Sequence, residues 1–118
     1  MGHLSIARVI LYVRDIPKVA AFYQRFFGMK PLPGAMKGWV ELNSPSGGST
    51  IALHQAAKSQ KSGAAMKLVF AVKDVQKFVR ECEQQGLEFG VIHRANEFEF
   101  ANAKDPAGNS ISVSSRGL

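Results

Sequence analysis

Residues 8–23 read Arg8-Val-Ile-Leu-Tyr-Val-Arg-Asp-Ile-Pro-Lys-Val-Ala-Ala-Phe-Tyr23, and residues 67–82 read Lys67-Leu-Val-Phe-Ala-Val-Lys-Asp-Val-Gln-Lys-Phe-Val-Arg-Glu-Cys82. Laid over one another without a gap, Arg8 falls on Lys67, Val13 on Val72, Asp15 on Asp74 and Lys18 on Lys77. Each stretch begins with an apolar, β-branched run that reads as a strand (Val9 to Val13, Leu68 to Val72). Each continues with an Asp suited to accept from the free N–H groups of a helix start. Apolar residues then recur at helical spacing, as Ile16, Val19, Ala20 and Tyr23 in one copy and Val75, Phe78, Val79 and Cys82 in the other. Pro17 is tolerated in a first helical turn, and Gly28 and Gly86 stop the two helices.

Working outward, each copy is followed by strands and a tight turn. The first has Trp39-Val-Glu-Leu42, then Ser44-Pro-Ser-Gly-Gly48, then Ile51-Ala-Leu-His54; the second has Phe98-Glu-Phe-Ala101, then Asp105-Pro-Ala-Gly-Asn109, then Ile111-Ser-Val-Ser114. With one residue of slack Pro45 matches Pro106, Gly47 matches Gly108 and Ala52 matches Ser112. Pro fixes a turn dihedral and Gly supplies a positive φ, so both turns are expected to be hairpins. The chain is therefore expected to be α+β: two tandem βαβββ modules forming a curved mixed sheet around a concave cleft. The modules run from about 6 to 56 and from about 66 to 115 of a single domain spanning 1–118. The segment of about 57–65 has the Lys, Ser, Gln, Gly and Ala composition of a flexible linker.

Bulk composition narrows the function classes. Lys and Arg outnumber Asp and Glu by 15 to 9, a balance that favours anionic partners. Those cations are scattered and accompany no helix-turn-helix, zinc-finger or aromatic RNA-binding pattern, so no nucleic-acid partner is expected. No apolar run approaches the roughly 20 residues that span a bilayer, and none resembles a secretory leader, so neither membrane nor export is expected. A single cysteine, Cys82, excludes an internal disulfide and points to the cytoplasm. Its place on the apolar face of the second helix marks it as a buried, inert thiol.

A strand, then Val-Arg-Asp, then a helix holding Phe22-Tyr23 and closing on Phe27-Gly-Met29, resembles the opening of glyoxalase and bleomycin-resistance proteins, the vicinal oxygen chelate superfamily. Asp105-Pro-Ala-Gly-Asn109 followed by Ile111 resembles that family's late turn and last strand, and the likeness extends from about Ile6 to Ser115. The resemblance implies four metal ligands, His or similar groups on the first strand of each module and Glu on each last strand. Those positions fall on Arg8, Lys67, Ala52 and Ser112. Charged guanidinium and ammonium groups offer no lone pair, alanine has no ligand atom and serine is a weak neutral one. Neither metal, cofactor nor catalytic residue is therefore assigned.

Strand alternation turns Val9, Leu11 and Val13 toward the helix and leaves Arg8, Ile10 and Tyr12 on the cleft face; Lys67, Val69 and Ala71 follow the same rule. Trp39 and Glu41, and Ala52 and His54, share that face if Val40, Leu42, Ile51 and Leu53 are core. The candidate ligand-binding residues are Arg8, Tyr12, Trp39, Glu41, His54, Lys67 and Ser112. Arg8 and Lys67 either hold an anion or are neutralised by Glu41 or Glu97, or reach into solvent. His54 is either a pocket wall or surface residue, or a base or shifted metal ligand; Tyr12 is a stacking surface or core packing, and Trp39 a stacking surface or a dimer contact. A relocated metal site near His54, Glu41, His93, Glu97 and Glu99 lacks any tight ligand spacing. Phe22, Phe26, Phe27, Phe70 and Phe78 are read as core.

The resulting expectation is a metal-free small-molecule binding or sequestering protein of the glyoxalase and bleomycin-resistance type, working as a homodimer, whose cleft favours an anionic ligand. Bleomycin is cationic, and a basic chain opposes it. Two alternatives stay open: a lyase, isomerase or dioxygenase with relocated ligands or metal-independent chemistry, and a regulatory subunit with a vestigial cleft.

Overall fold

A computed structural model describes His3, residues 6–61, residues 66–116 and Leu118. The chain forms two compact units, Met1–Ser62 and Gly63–Leu118. The first contains β1 (Arg8–Val13), α1 (Ile16–Phe27), β2 (Lys30–Pro31), β3 (Trp39–Asn43) and β4 (Thr50–Gln55). The second contains β5 (Lys67–Ala71), α2 (Val75–Gln84), β6 (His93–Arg94), β7 (Glu99–Lys104) and β8 (Ser110–Ser114). The sheets have four strands each, ordered β1-β4-β3-β2 and β5-β8-β7-β6, and the architecture is two tandem βαβββ modules. In both, the outer first strand runs parallel to the last strand and the remaining pairings are antiparallel.

The register reproduces the repeat. Arg8 lies opposite Thr50 and Ile10 opposite Ala52, while Lys67 lies opposite Ser110 and Val69 opposite Ser112. The single residue of slack thus falls in the hairpin turns and leaves the strand pairing untouched. Third strands add a second equivalence, since Glu41 faces Ala52 and Asn102 faces Ser112. That makes Trp39 the counterpart of Phe100, which faces Ser114 as Trp39 faces His54.

Asp15 and Asp74 cap their helices as their positions demand, their carboxylates accepting from the backbone N–H of Lys18 at 3.1 Å and of Lys77 at 3.0 Å. Gly28 ends α1 in the left-handed conformation. At the end of α2, Gly86 donates to the Glu83 carbonyl and Leu87 to the Cys82 carbonyl, the paired closure that a positive φ at Gly86 permits. Ile16, Val19, Ala20, Phe22 and Tyr23 are buried in α1, and Val75, Val79 and Cys82 in α2. In the first unit that stripe is buried together with Leu11, Val13, Leu42, Ile51 and Leu53. Complete burial of a residue such as Leu53 contributes about 1.5–3 kcal/mol.

The aromatic core is smaller than the sequence suggests. Phe22 is buried, but Phe26, Phe27, Phe70 and Phe78 are only half-buried. Phe26 and Phe27 sit in the last turn of α1, past its buried residues Ile16, Val19, Ala20, Phe22 and Tyr23. The strands β2 and β6 are two residues each, too short for alternation to mark them, and β2 ends on Pro31. Residues 57–61 include a turn held by Arg14, whose Nη2 donates to the carbonyls of Lys58 and Gln60 at 3.0 Å each. The rest of the linker, residues 62–65, lies outside the described residues.

The late hairpin turn is built around Asp105. Its carboxylate accepts from Ala107 N at 2.9 Å, Asn109 N at 2.8 Å and Asn109 Nδ2 at 3.0 Å, while Gly108 N closes the turn on the Asp105 carbonyl. Ser44 holds the corresponding place in the first module with a weaker set, a 2.7 Å bond to the Ser46 hydroxyl and a 3.3 Å bond from Ser46 N.

Candidate functional site

Parallel pairing on one side of β4 and antiparallel pairing on the other set side chains in rows across β1, β4 and β3. One row is Ile10, Ala52 and Glu41; the next is Tyr12, His54 and Trp39. Ala52 is fully buried between larger neighbours, whereas Ile10 and Tyr12 are exposed. Within the second row the His54 ring lies 5.2 Å from Tyr12 and 5.6 Å from Trp39, the latter edge-on. His54 Nδ1 is 2.9 Å from the Gln55 carbonyl. A carbonyl only accepts, so Nδ1 carries the hydrogen, and the neutral ring keeps a lone pair on Nε2.

Glu41 ties the rows together. One carboxylate oxygen accepts from Trp39 Nε1 at 3.1 Å and lies 3.8 Å from Arg8 Nε. The expected neutralisation of Arg8 by Glu41 is therefore present, loosely and at a half-exposed site. The Arg8 side chain retains 48% of its exposure, so its remaining guanidinium donors face a largely solvated setting. Beside the aromatic row, Met36, Lys37, Gly38, Trp39, His54 and Gln55 line a cavity of about 500 Å³. Backbone bonds in both directions between Met36 and Trp39 make this rim a tight turn with Lys37 at its tip.

The second module repeats the first-strand cation with a different partner. Lys67 Nζ donates to Asn102 Oδ1 at 3.0 Å, the position equivalent to Glu41. Among the described residues no carboxylate lies within ion-pair distance of Lys67. Glu97 is exposed, and Glu99 pairs with Arg94 at 2.9 Å. The row matching Tyr12, His54 and Trp39 is Ala71, Ser114 and Phe100. His93, stacked on Phe100 with centroids 4.8 Å apart, is exposed.

Of the seven residues singled out from sequence, Arg8, Tyr12, Trp39, Glu41 and His54 share one face of the first module. Lys67 is exposed in the second module. Ser112 is 3% exposed and its hydroxyl donates to the Ala101 carbonyl at 3.0 Å. Sequence reasoning missed Asn102 and Lys37. The first could have been found by carrying the register of Glu41 over Ala52 into the second module; the second had no mark beyond its place before Gly38 and Trp39.

The metal that the resemblance implies does not fit these positions. Arg8 and Lys67 are cations, Ala52 has no donor atom, and the Ser112 hydroxyl is turned to the backbone. Among the described residues no group of three or more His, Cys, Asp or Glu could hold an ion. Nor is any helix among them long and apolar enough to cross a membrane. Cys82 is 4% exposed, and burial, then the charges of Glu81 and Glu83, push its thiol above the usual range.

Two tandem modules, each with a parallel first and last strand and a helix between, define a paired-βαβββ protein. Residues 5–113 match the family model of the Glyoxalase/Bleomycin resistance protein/Dioxygenase superfamily, and the chain belongs to that superfamily. Solved structures agree on the fold. The lactoylglutathione lyase of Agrobacterium tumefaciens is 22% identical, with 97% of this chain and 95% of that one covered and a TM-score of 0.77. TnmS3, an antibiotic binding protein from Streptomyces sp. CB03234, is 17% identical over 96% of each chain with a TM-score of 0.80. VPC_CASS1, from the mobile metagenome of V. pseudocholerae, is 27% identical over 100% of this chain and 98% of that one, with a TM-score of 0.76. Among proteins with curated descriptions, none matches this chain in sequence.

Proposed function

We propose that this protein binds or sequesters a small anionic molecule without a metal, with Lys67 as the charged anchor offered by the second module and Arg8 as that offered by the first. The observation that carries this reading is the pairing of Lys67 with a neutral amide, which leaves its charge uncompensated where Arg8 is partly offset by Glu41. An anion supplies the charge-assisted partner that Asn102 does not. Charge distribution supports the same sign. Met1–Ser62 holds eight Lys and Arg against two acidic residues, while Gly63–Leu118 holds seven of each, so the whole net charge of +6 belongs to the first unit.

Fold does not choose between binding and catalysis, since the relatives above include one protein named for binding an antibiotic and one named as a lyase. The residues favour binding, because the usual ligand positions are cationic or inert. The proposal extends to a single domain made of both modules, acting as a cytoplasmic homodimer. The exposed outer strands β1 and β5 are the kind of sheet edge that pairing covers, and the lone buried thiol suits a reducing compartment.

A thermal-shift screen of metal-stripped protein at low salt tests this, with small anions, cations, neutral aromatics and divalent metals compared. A ligand at about 100 times its dissociation constant adds roughly 2.7 kcal/mol. Stabilisation by anions that is lost in Lys67→Met and weakened in Arg8→Ala is expected. Saturable stabilisation by one divalent metal, lost in His54→Ala, would replace the proposal with the enzyme reading. Stabilisation by nothing in the panel would favour a regulatory subunit.

A further inference from the structure

We infer that the row of Tyr12, His54 and Trp39 is a seat for a flat aromatic ring bearing a hydrogen-bond donor, such as a phenolic hydroxyl, which His54 Nε2 accepts. The inference rests on the small-molecule-binding reading and adds the ligand's shape and polarity to its charge. Three observations converge. The rings occupy one transverse row, with centroid separations of 5.2 and 5.6 Å, and Tyr12 remains 43% exposed. An exposed apolar surface beside a cavity of about 500 Å³ is the setting in which a small aromatic is bound. Finally, the bond to the Gln55 carbonyl fixes a hydrogen on Nδ1, so in the neutral ring Nε2 is the acceptor, with no protein donor among the described residues.

The second module isolates what the row contributes. It has the same strand pairing with Ala71 and Ser114 in place of Tyr12 and His54, so the three-ring row across the strands is confined to the first module; the second has instead a single stack of His93 on Phe100, built from a different strand. Gly38 contributes to the shape of the mouth. Its φ of 76° suits glycine, and it lets the turn from Met36 to Trp39 close beside His54.

Trp39 is the single tryptophan, so its indole N–H gives one unambiguous NMR cross-peak at the site. Its shift is followed on the full chain, at neutral pH, against 4-chlorophenol and 4-chloroanisole. The two probes share a ring and are uncharged; only the first can donate. Saturable movement of the peak is expected with the phenol, and about fivefold weaker binding of the ether, the net size of one hydrogen bond to the exposed His54 ring. In His54→Phe, which keeps a ring and removes the acceptor, the preference should collapse to within about twofold. Equal affinity of the two probes for the wild-type protein overturns the inference, as does a preference that survives in His54→Phe. An indole peak unmoved by either probe overturns it without any variant having to fold. Because neither probe is charged, these outcomes are independent of the anion screen.

Discussion

Replacing Glu41 by glutamine should tighten anion binding. The Glu41 carboxylate lies 3.8 Å from Arg8 Nε and accepts the Trp39 indole N–H at 3.1 Å. Glutamine keeps an acceptor for the indole and removes the charge, so the aromatic row should stay in place while Arg8 is released. Two unit charges at that distance interact by roughly 1 kcal/mol in a water-like medium and about 4 kcal/mol at an effective dielectric of ~20. The Arg8 side chain is 48% exposed and Glu41 is 26% exposed, which places the pair near the solvated limit. Exposed ion pairs contribute about 0.2–1 kcal/mol. The gain in affinity for an anion at Arg8 is then about 1.4- to 5-fold. Calorimetric titration of the most stabilising anion from the thermal-shift screen, at low salt, reads this directly. The gain should shrink as the Debye length falls from about 10 Å at 0.1 M to about 3 Å at 1 M salt. An affinity in Glu41→Gln that is unchanged or weaker, with the indole peak in its wild-type position, would refute the placing of the anion at Arg8.

Other outcomes follow from the two turns and the buried thiol. Asp105→Ala removes acceptors from two backbone N–H groups and one side-chain amide at a buried site, and should cost about 2–4 kcal/mol in urea unfolding. Ser44→Ala at the matching turn should cost less than about 1 kcal/mol, and equal costs would contradict the hydrogen-bond account. Burial, with the charges of Glu81 and Glu83, raises the Cys82 thiol above the usual range, so its proton is held more tightly in the folded chain. Its contribution to stability is present below the unfolded thiol's pKa and lost as pH climbs through the raised folded value. Wild-type protein should therefore lose more stability than Cys82→Ala between neutral and alkaline pH, and parallel losses would show that the thiol remains unperturbed.

The fold was legible because local chemistry and long-range pattern agree twice over. Asp15 and Asp74, the apolar steps from Ile16 and Val75, and Gly28 and Gly86 each mark the same element in two places, and strand alternation then fixes which face Arg8, Tyr12 and Lys67 occupy. The shared face of the first-module candidates was readable for the same reason, since a period of two assigns Trp39, Glu41 and His54 to one side once Leu42 and Leu53 are core. The partner of Lys67 was not. The stretch beginning at Phe98 looks like the match of the one beginning at Trp39, yet pairing sets Phe100 opposite Ser114 and carries the strand on to Lys104, bringing Asn102 over Ser112. Nothing local in that sequence fixes such a shift, because Phe98 and Phe100 alternate equally well in either register. The short strands His93–Arg94 and Lys30–Pro31 are defined by their neighbours and carry no pattern of their own.

The shared strand register has a consequence for how such a chain can change. Differences in length between the two copies are absorbed in the connections, so any residue on one sheet has a definite homologue on the other, as Glu41 has Asn102 and His54 has Ser114. A duplicated frame of this kind lets one copy keep a chemical feature while the other abandons it. Here the aromatic row and the excess positive charge are found in one half only, so the two copies carry different chemistry on the same strand register.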